Sequence, residues 1–220
     1  MNTDALISIN GGRMPTLEIL LMLTIISLLP SILVMMTSFT RIIIILSFTR
    51  NALGIQQTPP NMVLVGIALF LTLFIMDPVI KDVNTNAYQP YIREEIDQKE
   101  ALKRAEVPMK RFMLKQTETE TLNLFLDLSG TEKPDNIEDT PMTVVTPSFM
   151  TSELKRAFTA GFMIFLPFML VDIIVSSTLM SMGMVMLPPA MISLPFKLLL
   201  FVTVNGWELL FKNLVSSFHY

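Results

Sequence analysis

The chain has 220 residues, 51% of them hydrophobic and 16% charged, with a formal net charge of −3, no Cys and one His; its mean hydropathy is +0.56. An ordinary soluble domain carries about 25% charged residues, so the deficit argues against a globular enzyme. The absence of Cys excludes disulfide scaffolds, thiolate metal sites and Cys nucleophiles. His219, one residue from the end, leaves no histidine cluster for a metal and no internal His for a catalytic triad. No basic run offers itself to a phosphate backbone, so neither nucleic acid nor a cofactor is expected.

The charge is unevenly placed. Eleven of the 16 Lys and Arg and 14 of the 19 Asp and Glu lie between Lys81 and Arg156, leaving five cations and five anions for the other 144 residues. That remainder is roughly 7% charged, the mark of a membrane protein carrying one hydrophilic insert. The expected organisation is an N-terminal apolar hairpin over 1–80, an extracytoplasmic insert over 81–151 and a C-terminal apolar hairpin over 152–220.

Four apolar runs follow in order: Leu17–Phe48, Met62–Ile80, Ala157–Leu187 and Ala190–Phe211. A bilayer core of about 30 Å takes about 20 residues as helix, so each run is long enough to span. The first follows Arg13 like a signal peptide, but it stays apolar well beyond an h-region of about 7–15 residues and shows no small-residue cleavage site, so it is expected to be retained. Pro30 should bend it, with one helix to about Thr40 and a second from Arg41 to about Gly54. Gly54–Asn61, with Pro59-Pro60, reads as a loop, and Asp77-Pro78 as the far end of the second span. Arg41 and Arg50 near that loop, without an acid, suggest its cytoplasmic placement.

Within the insert, Ile92, Ile96 and Leu102 among charged residues predict an amphipathic helix over Tyr91–Leu102. A second is expected over Val107–Leu128, on Phe112, Leu122, Phe125 and Leu126, and a loop over Ser129–Pro147. Two short helices hide little surface, so the insert is expected to pack against a partner or another copy. The overall expectation is an all-α membrane protein of two helical hairpins with a mostly helical hydrophilic insert.

Five ionisable residues lie in or beside the apolar runs: Arg41, Asp77, Asp172, Lys197 and Glu208. A charge at mid-membrane costs about 2.5–3.5 kcal/mol on insertion scales, which makes each a candidate functional residue. Arg41 and Asp77 stand at run ends, where a structural role is expected. Asp172 and Lys197 lie deeper and suggest a buried pair or relay. Counted from Pro188-Pro189 they are not level, so a partner from another chain is at least as good a match for each. Asp77 and Asp172 could form an aspartyl dyad in principle. Neither stands in a Gly-x-Gly-Asp setting, and catalysis is not expected. Met residues at 180, 182, 184, 186 and 191, around Gly183 and the Pro188-Pro189 pair, point to a broken segment suited to a deformable apolar seal, with ordinary helix packing as the alternative.

Three stretches then carry a resemblance: MTSFTRIIIILSFTRNALG at 36–54, PPNMVLVGIALFLTLFIMDPVI at 59–80, and 151–210, which includes TSELK, LVDII, MGMVMLPP and LPFK. Together they resemble the FliP family, the flagellar P-type export gate subunits of type III secretion systems. NALG, AYQPY and FMLKQT look like the flagellar rather than the virulence branch. The resemblance implies five copies coassembled with FliQ and FliR, near FlhB and FlhA, in the bacterial inner membrane at the flagellar basal body, with much of the helical material lifted from the bilayer plane. It implies a passive conduit for unfolded flagellar proteins, sealed by Met184, Val185 and Met186, where relatives can carry an unbroken Met triplet. It implies an inter-subunit ion pair between Glu153 and Lys197. A virulence-system subunit or a non-gating membrane scaffold is the alternative.

Overall fold

A computed structural model describes residues 7–9, 12–14, 16–55, 57–130, 133–184 and 186–218. Two short strands, β1 (Ile7–Ile9) and β2 (Gly12–Met14), pair antiparallel with Ile7 opposite Met14. This small addition to an otherwise helical chain carries a signal the composition hides, the Asn10-Gly11 sequence typical of tight hairpins.

The first apolar run divides into α1 (Thr16–Met36) and α2 (Phe39–Ala52). The break falls at Thr37-Ser38, close to the one expected at Thr40–Arg41, and α1 continues through Pro30. Both Arg41 and Arg50 therefore belong to α2 and not to the loop. Arg50 Nη1 reaches back to that loop, donating to the Pro59 carbonyl at 3.3 Å and to Asn61 Oδ1 at 2.5 Å. It thereby fixes the turn into α3 (Asn61–Val83).

Pro78 does not end the second span. α3 passes through it and runs on by a π-helical turn over Asn84–Tyr88 into α4 (Gln89–Ile92). A π turn widens the helix by one residue and absorbs the irregularity that a missing N–H imposes. The helix expected over Tyr91–Leu102 is split, because Glu94 takes a left-handed φ of 58°. Asp97 then caps α5 (Gln98–Gln116), accepting the Glu100 N–H at 2.8 Å. The helix expected over Val107–Leu128 is likewise two, α5 and α6 (Thr119–Ser129), parted by extended backbone at Thr117 and Glu118. The loop expected to reach Pro147 stops earlier, at Pro141.

From there α7 (Met142–Ser181) runs 40 residues with Pro147 and Pro167 inside it, crossing from the charged insert into the apolar C-terminal part without interruption. α8 (Pro189–Thr203) and α9 (Gly206–Ser216) complete the chain, bent by 61° about Asn205 in the left-handed region. Among the described residues, α3 with α4 and α7 are long and apolar enough to cross a membrane, and α8–α9 counts as a third crossing if read as one bent span.

One core joins these pieces. Ile42 and Leu46 of α2, Leu64 and Ile75 of α3, Met113 of α5 and Phe149 of α7 are buried together. The insert thus finds its cover within the chain: Phe112 and Met113 enter the main core, and Leu122 and Leu126 pack on Val144. Gly161 lets α2 and α7 approach closely, since a Cβ there would lie 2.5 Å from the Phe48 ring. Outside this core the apolar helices stay uncovered, as Phe70 and Phe74 of α3 and Leu170 and Ile174 of α7 illustrate. Such faces fit lipid or other subunits.

Candidate gate hairpin and its ion pairs

The charges singled out by sequence fall into two paired sites and two exposed positions. Asp77 bonds Lys81 one turn on at 2.6 Å, both side chains about half exposed or more. Glu208 is exposed in the first turn of α9, where a carboxylate favours the helix N-terminus. Neither enters a site.

Arg41 and Glu153 make the first pair, almost wholly buried with side-chain exposures of 3% and 0%. Arg41 Nε donates to one carboxylate oxygen at 2.8 Å and Nη2 to the other, so the contact is bidentate. Nη1 donates to the Ser217 carbonyl and hydroxyl, both at 3.1 Å. The guanidinium also lies 3.9 Å from the centre of the Phe218 ring. Ser217 caps the C-terminal end of α9, where carbonyls lack helical partners and attract a cation. One guanidinium therefore fastens α2, α7 and the end of α9.

Asp172 and Lys197 make the second pair. Lys197 Nζ donates to Asp172 Oδ2 at 2.6 Å, and the Ser193 hydroxyl donates to Oδ1 at 2.6 Å. Ser193 and Lys197 stand four apart on α8, one above the other on the same face. The sequence expectation that Asp172 and Lys197 are not level is corrected here. α7 ends at Ser181 and α8 begins at Pro189, so each residue sits about 12–14 Å of helix rise from its end. Lys197 is 7% exposed at its side chain and Asp172 36%.

Above this pair, Met182–Pro188 joins the two helices. The Met184 N–H donates to the Leu179 carbonyl and the Gly183 N–H to that of Met180, both at 3.0 Å, with Gly183 at φ +75°. This is a Schellman ending, which glycine adopts without a Cβ penalty. Pro188 closes the other side as the residue before α8. Met180, Met182, Met184, Met186 and Met191 are all exposed, Met186 at 98%. Val185, the middle residue of the expected seal, lies outside the described residues.

In the single chain Glu153 and Lys197 thus have partners other than each other. Sequence reasoning supplied Asp172 and Lys197 by their depth, but missed Ser193, Ser217 and Phe218, and could not join Arg41 to Glu153 across 112 positions. Only the placement of a lone cation in an apolar run hinted that Arg41 needed an acid.

A family model described as the FliP family matches residues 22–214. The chain belongs to that family. It is 52% identical to the flagellar biosynthetic protein FliP of Bacillus subtilis over 92% of both chains. It is 50% identical to that of Aquifex aeolicus, covering 94% of this chain and 88% of the relative. With the protein of the same name from Caulobacter vibrioides it shares 49% identity over 90% and 74%. The match includes α2, both ion pairs and the Met-rich turn, while Ser217 and Phe218 lie just beyond it.

Proposed function

We propose that the chain is a core, non-enzymatic subunit of the flagellar protein export gate in the bacterial inner membrane. Copies of the Met182–Pro188 turn converge on one axis and close a conduit for unfolded flagellar proteins. The observation that carries this reading is the exposed thioether tip on a hairpin whose base is fixed by Asp172, Ser193 and Lys197. An apolar constriction excludes water and ions, and flexible Met side chains conform to varied cargo. The gate assembles from five copies with FliQ and FliR and works beside FlhB and FlhA, with the loop at Gly54–Asn61 on the cytoplasmic side.

Replacing Met184 and Met186 with Ala or Gly should let ions leak through the assembled complex; variants that neither leak nor change export remove the seal. In the assembly Glu153 also meets Lys197 of the neighbouring copy, in addition to the partner each holds within its own chain. Glu153→Lys then blocks assembly and Lys197→Glu partly restores it. A double variant no better than either single change removes that contact.

A further inference from the structure

A cleft of about 680 Å³ lies among α2, α7, α8 and α9. Its lining is apolar except for Arg41, Thr49, Arg156, Asn213 and Ser217. Thr49 spends its hydroxyl on the Ile45 carbonyl at 2.9 Å, and Arg41 is held by Glu153. Arg156 is the loosely held cation. It stands 3.9 Å from Glu118, whose other oxygen already accepts from Lys155 at 2.6 Å. Arg156 is thus left at the edge of ion-pair range, and its guanidinium lines the cleft.

The polar groups gather near Arg156, because Arg41 bonds both Ser217 and Glu153, and Glu153 is one turn from Arg156 on α7. Phe168 and Phe201, 6.3 Å apart, line the cleft farther along α7 and α8. Between Arg156 and Phe168 runs about 18 Å of helix rise. A single unbranched chain fits. Arg156 is also the last residue of the charge-rich stretch before α7 turns mostly apolar, where a guanidinium reaches the membrane interface.

We propose that this cleft holds one acyl chain of an anionic phospholipid, with its phosphate on Arg156 and its polar head beside Asn213. Burying each methylene contributes about 0.8 kcal/mol, so a chain of lipid length is retained through purification.

The test uses the full chain in its purified membrane complex, stripped with detergent and reloaded from vesicles of phosphatidylglycerol or phosphatidylcholine. The wild type should retain phosphatidylglycerol preferentially, by about tenfold. Arg156→Gln should abolish the preference, and Ala160→Trp, which fills the middle of the cleft, should abolish retention of both lipids. A phosphatidylglycerol with a photoreactive acyl tail should label α7 near Met163 and α9 near Leu209 above the exposed face of α3 at Phe70 and Phe74. That labelling uses the unaltered chain and does not depend on how the Trp variant folds. Equal retention of both lipids by the wild type, undiminished retention in Ala160→Trp, or labelling spread evenly over α3, α7 and α9 overturns the proposal.

Discussion

Arg41 and Lys197 are both cations on apolar helices, each bonded to one acid, yet their surroundings differ. Arg41 is sealed among three helices, meets its carboxylate with two N–H groups and spends a third on the end of α9. Lys197 meets Asp172 through one ammonium, beside a carboxylate 36% exposed, and links only α7 to α8. The first pair holds the body of the fold together. The second clasps the base of a hairpin and leaves its methionine tip free. The difference teaches that a pair clasping two helices beneath an exposed turn is simpler and more solvent-accessible than one tying three elements together.

The comparison breaks if the two sites prove equally costly to open. Glu153→Ala strands a buried guanidinium and should cost about 3–5 kcal/mol in unfolding of the purified chain. Asp172→Ala should cost less, about 1.5–3 kcal/mol, because water reaches the remaining partner; a larger loss than for Glu153→Ala inverts the assignment. Swapping the second pair, Asp172→Lys with Lys197→Asp, should recover most of that loss. Gly161→Ala pushes a Cβ into Phe48 between α2 and α7 and should cost about 1–3 kcal/mol while leaving the hairpin tip untouched. Asp77→Ala, at an exposed pair of the i,i+4 kind, should change stability by less than about 0.5 kcal/mol. Charge reversal sharpens the picture further. Rescue of Glu153→Lys by Arg41→Glu reports the pair within one chain, and rescue by Lys197→Glu reports a contact between copies.

Composition alone divided the chain into apolar and charged parts, because a 30 Å bilayer leaves a coarse signature that survives any detail of packing. The Met-rich turn was legible for a similar reason, since Gly183 and the Pro pair punctuate backbone locally. What stayed hidden were features set by neighbours. Pro78 and Pro147 read as helix breaks but are carried inside α3 and α7, where surrounding helices compensate a lost N–H. The levelling of Asp172 with Lys197 depends on α7 stopping at Ser181, six residues before its apolar run ends at Leu187. Glu153 entered only through family resemblance, and its contact with Arg41 is a long-range event that no local pattern encodes.

The central claim, that copies of the Met182–Pro188 turn meet on one axis, can be met directly because the chain contains no Cys. Met186→Cys, made alone and oxidised in the assembled complex, should yield inter-copy disulfides and stop export until reduced, since Cα atoms must come within about 7 Å to bridge. Met62→Cys, equally accessible on α3 at 86% exposure, should not cross-link. If Met186→Cys gives no inter-copy bridge, or no more than Met62→Cys gives, the turns do not converge and the proposed gate is contradicted.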